Sequence, residues 1–171
     1  MNGLDEQVVE LLERLRNRFY GKYRGTVTDI DSTSLRIKAI VPAVLGQTPT
    51  GWCQPCVPYA GNNVGFLFLP EAGDFVWIEF EGGDPSYPIW AGCGWRDGEI
   101  PQDATPTTRV IVTSAPSKVL FDDDGQTVTI TDPNENSVTL DSNGVTLERS
   151  GKTLVVSDSE VNVGDGAFEV T

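Results

Sequence analysis

Short apolar–polar–apolar triplets recur along the last third of the chain. They lie at residues 128–130, 138–140, 145–147, 154–156, 161–163 and 168–170. Each triplet has the period of two that is typical of a half-buried β-strand, and turn residues such as Asp, Asn, Gly and Pro separate neighbouring triplets. A meander of such strands has one apolar face, and nothing within the segment covers that face. The pattern therefore predicts self-association and favours a structural protein over an enzyme.

The N-terminus is predicted to form an amphipathic helix that ends near Gly21. Its apolar residues recur at steps of three and four, and the charged residues lie mostly off that stripe. The stripe consists of Leu4, Val8, Leu11, Leu12, Leu15 and Phe19. A single short helix is only marginally stable in water, so the stripe must dock. The pattern leaves two docking sites open, the chain's own domain and a partner subunit.

Longer strands bounded by Gly and Pro turns are predicted between residues 23 and 95. They lie at residues 23–30, 35–41, 64–69, 75–80 and 89–95. Five strands in about 70 residues are typical of a small Greek-key barrel of the OB type. The fourth strand carries consecutive apolar residues from Phe75 to Ile78. We therefore expect both of its faces to be covered, one by the barrel interior and the other by the helix or another subunit.

The acidic composition narrows the classes of partner. The 171 residues carry a formal net charge of −13 and include no histidine. Such a chain repels nucleic acids and anionic membrane surfaces, although an acidic balance is equally typical of an ordinary soluble protein. The sequence has no apolar stretch of about 18 residues and no secretory signal at its N-terminus. We expect the protein to stay in the cytoplasm until something other than the secretory pathway releases it.

Residues 52–56, Trp-Cys-Gln-Pro-Cys, have the spacing of a thioredoxin-type redox motif. In oxidoreductases of that type the first cysteine opens a helix within an α/β fold, which lowers the pKa of its thiol. Here Pro58 and Gly61 follow the motif and oppose a helix. A loop that packs Trp52 and the cysteines is therefore favoured over thiol chemistry.

The sequence also predicts no metal site and no group of catalytic residues. Cys53, Cys56 and Cys93 would supply three zinc ligands where a structural site needs four, and Cys93 is more simply explained as a small strand residue inside the barrel. The acidic segments 122–125 and 132–136 have the spacing of turns rather than of a calcium loop. With no nucleophile elbow, phosphate loop or histidine base in the sequence, we expect no catalytic residue, no metal and no cofactor.

One stretch of the predicted barrel resembles a known family. Its most specific part is Phe80-Glu81-Gly82-Gly83-Asp84-Pro85-Ser86-Tyr87-Pro88-Ile89-Trp90, preceded by Cys56-Val57-Pro58-Tyr59-Ala60-Gly61 and Pro70-Glu71-Ala72-Gly73-Asp74. The stretch is similar to the OB domain of the spike proteins of contractile injection machines. That family includes phage baseplate assembly protein V, the VgrG proteins of type VI secretion and the spikes of extracellular phage-tail-like particles. The resemblance covers residues 23–95, and the later triplets agree with it because a triple-stranded β-helix follows the OB domain in this family.

The resemblance implies a mostly β homotrimer with a short N-terminal helix, a five-stranded OB-type barrel and a C-terminal triple-stranded β-helix wound from three chains. Its domains would be the helix at 1–22, the OB domain at 23–96, a polar linker at 97–108 and a β-helical needle at 109–171. The residues implied for the trimer core are Val128, Ile130, Val138, Leu140, Val145, Leu147, Leu154, Val156, Val161, Val163, Phe168 and Val170. Those implied to face water are Thr129, Thr139, Thr146, Asn162 and Glu169.

The implied role is that of a central spike, a structural protein whose needle punctures the envelope of a target cell. Larger family members carry a fused hub domain or an inserted lysozyme domain, and neither is expected here. This minimal spike would therefore sit on a separate hub baseplate protein, with inner tube and other baseplate proteins as indirect partners. The candidate hub or collar contacts are Leu4, Val8, Leu11, Leu15, Phe75 and Trp77.

The absence of histidine excludes the His-x-His iron site with which some phage spikes form their own tip. A separate PAAR-type tip protein is therefore expected at the C-terminal end. Its candidate contacts are Gly164, Asp165, Phe168 and Thr171. The spike would assemble in the cytoplasm, become part of a virion or injection particle, and meet the target membrane only during puncture. The alternatives are an OB-fold binding module for an oligosaccharide or protein ligand, and a thiol oxidoreductase.

Overall fold

The computed structural model describes residues 3–164 and 168–170. The chain divides into two compact units, Met1–Gly98 and Glu99–Thr171. The elements of the first unit are helices α1 (Gly3–Arg16) and α2 (Pro42–Leu45) and strands β1 (Tyr23–Ile30), β2 (Ile37–Ile40), β3 (Gln54–Pro55), β4 (Tyr59–Gly61), β5 (Val64–Phe66), β6 (Phe75–Phe80) and β7 (Pro88–Cys93). In the described part of the chain, no helix is long and apolar enough to cross a membrane.

The first unit is built on a five-stranded sheet in the order β2-β1-β6-β7-β3. Its pairs are antiparallel except that β3 runs parallel to β7. Cys53, immediately before β3, forms a bridge with Ile37 of β2, so the two edge strands meet and the sheet closes on itself. The predicted mostly β fold with a five-stranded barrel is thus confirmed.

The barrel interior is filled by residues that alternate along the strands, as the period of two requires. Along β6, Val76, Ile78 and Phe80 are buried, whereas Phe75 and Trp77, which alternate with them, are half-buried on the outer face. The buried core consists of Val27, Ile37, Ala39, Val41, Cys53, Val76, Ile78, Phe80 and Trp90. The two strands with the clearest alternation, β1 and β6, have the bounds that the sequence predicts.

The predicted strand at residues 64–69 is not part of the barrel. Its first residues form β5, which pairs only with β4 in a separate two-stranded hairpin. The fifth place in the barrel is taken by β3, within the Trp-Cys-Gln-Pro-Cys segment. The physical reason is that Val64 and Phe66 point to solvent, so their apolar pattern does not mark the barrel interior, and a two-residue strand is too short to leave a periodic signal.

The N-terminal helix ends at Arg16, earlier than the predicted end near Gly21. The next residues turn toward the barrel instead, because the Phe19 amide donates a hydrogen bond to the Gly83 carbonyl at 2.8 Å. The Phe19 ring then packs on Tyr23 and Phe80, with centroid distances of 6.2 and 6.3 Å. Phe19 therefore leaves the helical stripe and docks on its own domain.

The second unit is an eight-stranded antiparallel sheet whose strands follow one another in sequence order. The strands are β8 (Thr108–Val112), β9 (Lys118–Asp122), β10 (Thr127–Thr131), β11 (Ser137–Asp141), β12 (Gly144–Arg149), β13 (Lys152–Val156), β14 (Val161–Val163) and β15 (Phe168–Val170). Ahead of β8, residues 103–107 lie against this sheet. The Lys118 ammonium contacts the Asp103 carboxylate at 2.8 Å, and the Thr107 carbonyl accepts a hydrogen bond from the Asp123 amide at 3.0 Å.

Aspartates close several of the turns between these strands. The Asp132 carboxylate accepts hydrogen bonds from the amides of Asn134 and Asn136, each at 2.9 Å. Asp122 accepts in the same way from the amides of Asp124 and Gly125, at 3.1 and 3.0 Å. These carboxylates accept hydrogen bonds from the backbone of their own turns, as expected if the acidic segments form turns.

Candidate oligomer interface

The register of the C-terminal sheet gathers the apolar triplet residues into two rows. Directly paired residues of an antiparallel sheet point to the same face, and so do residues two apart on one strand. The first row, from β10 to β14, is Val128, Leu140, Val145, Val156 and Val161. The second row is Ile130, Val138, Leu147, Leu154 and Val163. Together we call them the two apolar rows, and they form one continuous face.

The two apolar rows extend beyond the strands that the triplets predicted. On β9, Phe121 pairs with Val128 and continues the first row, while Val119 pairs with Ile130 and continues the second. On β8, Ile111 pairs with Val119. At the other end, the backbone of β15 pairs with β14, while the side chains of Phe168 and Val170 lie outside the described side chains.

A single copy leaves the two apolar rows uncovered. Every fully buried hydrophobic residue in the described chain lies in the first unit, and none of the described residues of the second unit is buried. Ile130 and Leu147, for example, remain 46% and 43% exposed. An uncovered apolar face of this extent marks an interface rather than an ordinary surface. The sheet is therefore held by backbone pairing, and its side chains have no core within one copy.

The apolar face is also concave. It holds a groove of about 680 Å³ whose apolar lining includes Ile130, Val138, Leu147 and Leu154. Polar residues complete the lining at one end, among them Asp132, Asn136, Arg149 and Lys152. An apolar centre with a polar rim is the usual anatomy of a protein–protein interface.

The opposite face of the same sheet is polar at its centre. Thr129, Thr139 and Thr146 pair directly across β10, β11 and β12. Val155 and Asn162 continue that row on β13 and β14. The contrast between the two faces gives the sheet one side suited to association and one suited to water.

The first unit carries a second candidate surface on the outer face of β6. The rings of Phe75 and Trp77 lie 5.0 Å apart, and the Arg24 guanidinium lies 5.9 and 5.8 Å from their centroids. With Trp95 and Arg96 they line a groove of about 660 Å³. We call this groove the aromatic groove. The predicted contacts Phe75 and Trp77 are therefore together, but the described residues of helix α1 do not line their groove.

The predicted helix contacts lie apart from that groove. Val8, Leu11 and Leu15 are 49%, 58% and 58% exposed, so their stripe is not covered by its own chain. The side chain of Leu4 is outside the described side chains. Of the predicted tip contacts, Gly164 follows β14 and its amide donates to the Thr153 carbonyl at 2.9 Å. Asp165 and Thr171, and the side chain of Phe168, lie outside the described residues.

The hairpin of β4 and β5 forms an exposed apolar surface that the sequence pattern does not predict. Its apolar side chains, and those just after it, point to solvent; they are Tyr59, Val64, Phe66, Leu67 and Phe68. A signal for this surface was present, because residues 53–70 contain no charged residue in a chain that is 22% charged. The apolar pattern suggested a barrel strand and hid the exposed surface.

The position of Cys53 does not favour the thiol oxidoreductase alternative. Cys53 is buried in the barrel, and this burial raises the pKa of its thiol, the opposite of what an attacking cysteine needs. Cys56 and Cys93 are both free and exposed. The expectation that Cys93 packs inside the barrel is therefore wrong, because it occupies the last position of β7, where the strand leaves the core. Among the described residues, no group of three or more potential ligands is placed to hold a metal ion.

Comparison with protein families assigns both units. Residues 23–95 match the type VI secretion system/phage-baseplate injector OB domain. Residues 108–169 match the phage baseplate V C-terminal trimerisation domain. No curated protein matches the chain significantly. The first match assigns the five-stranded barrel to the OB type, and the second supports a homotrimer.

Proposed function

Because the chain belongs to the phage baseplate V and VgrG-like spike family, we propose that three copies form the central spike of a contractile injection machine. The structural role at the baseplate follows from the family. The further proposal is that the C-terminal sheets of three copies wind into a triple-stranded β-helical needle, and that this needle punctures the envelope of a target cell.

The observation that carries this proposal is the pair of apolar rows. The sheet places Val138 beside Leu147 and Leu147 beside Leu154, and no described residue of the chain covers them. Such a sheet needs an apolar partner of matching length. Two further copies of the same sheet meet that need. Burial of apolar surface contributes about 25 cal/mol for each Å² removed from water, so a long shared core stabilises the trimer strongly.

Closure through three chains also protects the edges of the sheet. Among the strands that the structure describes, the edge strands β8 and β15 each have one side without a partner. Such edges pair readily with other chains, and proteins avoid uncontrolled pairing by closing the sheet. A needle in which each edge pairs with a neighbouring copy satisfies the backbone and resists mechanical load through many inter-chain hydrogen bonds.

The spike would connect to the rest of the machine through its first unit. We propose the aromatic groove around Phe75 and Trp77 as a contact with a separate hub baseplate protein, because it combines aromatic and arginine side chains, which are enriched in interfaces. At the other end, residues 164–171 would meet a PAAR-type tip protein. The trimer core would comprise the two apolar rows together with Phe168 and Val170. No step of this role requires a catalytic residue.

The solution mass of the protein tests the proposal. The full chain should have three times the 18.5 kDa mass of one copy, and a chain that ends at residue 98 should be a monomer. Full-length protein that is monomeric would contradict the spike. It would favour instead the binding module, in which the aromatic groove takes an oligosaccharide or protein ligand directly.

A further inference from the structure

The polar side of helix α1 faces its own barrel. Glu10, Glu13 and Asn17 line a groove of about 370 Å³ together with Asp84 and Pro85 of the barrel domain. On a helix with 3.6 residues per turn, these positions lie opposite Val8, Leu11 and Leu15. The apolar stripe therefore points away from the chain's own domain, which agrees with the high exposure of these residues. Of the stripe residues whose side chains are described, only Phe19 docks on its own domain, whereas Val8, Leu11, Leu12 and Leu15 remain exposed.

The C-terminal end of the helix is anchored to the barrel. The Arg18 guanidinium contacts the Asp84 carboxylate at 3.1 Å and donates to the Gly82 carbonyl at 3.3 Å. The Phe19 amide bonds to Gly83, and its ring packs on Phe80. These contacts fix the C-terminal end of the helix on the barrel in each copy. The position of the helix is therefore tied to that of the barrel.

The stripe has the spacing of a coiled coil. Leu4 and Leu11 are seven residues apart, and so are Val8 and Leu15, as the two apolar positions of a heptad require. Leu12 lies beside Leu11 and widens the stripe, as helices in bundles show. A helix of 14 residues is too short to be stable alone, so its partner has to be held nearby.

We propose that the α1 helices of three copies pack against one another as a parallel three-helix coiled coil, with Leu4, Val8, Leu11 and Leu15 in its core. This inference rests on the trimer of the proposed function. Threefold symmetry gives the three helices equivalent anchors and therefore the same direction. Because the trimerisation domain already holds the three chains together, the helices meet at a high effective concentration and a short seam is sufficient.

If the helices form a coiled coil, the two groups of candidate hub or collar contacts have different partners. The helix stripe is covered by the other copies of the chain, so it belongs to the collar. Phe75 and Trp77 lie on a different surface and stay available for the hub protein. The N-terminal helices then form a second trimer contact, at a different place from the needle but dependent on the trimerisation domain to hold the three chains together.

Disulfide trapping in the full-length protein tests the coiled coil. The exposed native cysteines are first removed as Cys56→Ser and Cys93→Ser, and Leu11→Cys is compared with Glu13→Cys, which lies on the polar side of the same helix. We expect Leu11→Cys to form crosslinked dimers at least about tenfold faster than Glu13→Cys, because only core positions bring two Cα atoms within disulfide reach. The readout is non-reducing electrophoresis after mild oxidation, with the mass of each sample measured before oxidation.

Three outcomes separate the alternatives. A trimeric mass with equally slow crosslinking of both variants overturns the coiled coil while the spike proposal stands. In that case, rapid maleimide labelling at position 11 identifies the stripe as open to another protein, whereas slow labelling contradicts the exposure of Leu11 in the single chain. A monomeric mass overturns the trimer itself and the coiled coil with it.

Discussion

Leu147 of β12 lies directly opposite Leu154 of β13, and 43% of Leu147 remains exposed in the single chain. Two leucines paired across a sheet normally lie over a core, yet none of the described residues in this unit is buried. The same relationship repeats along both apolar rows from β10 to β14. The second unit therefore has well-defined strands and an incomplete core, and we propose that other copies of the same chain supply the missing part.

Gly144 is predicted to be required for the turn between β11 and β12. Its φ is 124°, and a Cβ at this position would collide with the carbonyl oxygen of Val156 on β13. We expect Gly144→Ala to lower the melting temperature of the second unit and to weaken the trimer, as calorimetry and solution mass would detect.

Gly151→Ala is the matched control for this glycine. Gly151 also has a positive φ, of 72°, but its Cβ would meet no atom within 4 Å. The control should cost only the left-handed backbone strain, about 1–2 kcal/mol. Equal destabilisation by the two variants would show that the contact with Val156 is unimportant.

The turn at Asp132 is predicted to weaken in acid. Hydrogen bonds from the Asn136 side chain and amide, and from Asn134, lower the pKa of Asp132 from its usual 3.8 to about 2. A lowered pKa in the folded state contributes stability that is present above the unfolded pKa, and this contribution is lost as the pH falls from about 4 to about 2. Asp132→Ala should therefore lower the melting temperature at pH 7 and have a much smaller effect near pH 2.

Asn136→Ala gives an independent check of that origin. It removes the side-chain donor that contributes most to the shift, so the pKa of Asp132 should rise toward 3.8. A carboxylate titration by NMR measures this directly. If the pKa stays near 2 in the variant, the hydrogen bond from the Asn136 side chain is not its cause.

The three cysteines are predicted to differ sharply in reactivity. Cys56 and Cys93 are exposed and should react with a thiol reagent in the folded protein, Cys93 more slowly because partial burial raises the pKa of its thiol. Cys53 is buried, and burial raises the pKa of its thiol, so it should react only after unfolding. The measurement is thiol titration with and without denaturant, with Cys53→Ser as control. Insulin-reductase activity that disappears in Cys53→Ser would support the oxidoreductase alternative instead.

The sequence predicts best the strands that line the barrel core, because burial of one face leaves a pattern of apolar residues. The bounds of β1 and β6 agree with the prediction. For β6 the signal was a run of apolar residues bounded by turn residues, and the alternation of buried Val76 and Ile78 with outward residues is visible only in the structure. β3 was missed because two residues that include Pro55 carry no period. The apolar residues of β5 were assigned to the barrel, since periodicity records which side of a strand is apolar and not what covers it.

The same limit applies to the candidate interfaces. The triplets predicted which residues form the apolar face. The lengths of the turns fix the pairing register, and this register places the apolar residues in two rows. The continuation of these rows through Phe121 and Ile111 was not predicted, because the first two strands carry apolar residues on both faces. For helix α1, the pattern gave the stripe, whereas its direction depends on the tertiary contacts of Arg18 and Phe19.

The most direct test of the account is the solution mass of two variants on one strand, Leu147→Asp and Thr146→Asp. Leu147 belongs to the apolar rows, and Thr146 lies next to it on the opposite face. All four tryptophans lie at positions 52, 77, 90 and 95, so their fluorescence confirms that the first unit stays folded. We predict a trimer for the wild type and Thr146→Asp, and loss of the trimer for Leu147→Asp. A stable trimer of Leu147→Asp, or a monomeric wild type, would contradict the claim that the apolar rows form the core of a three-chain needle.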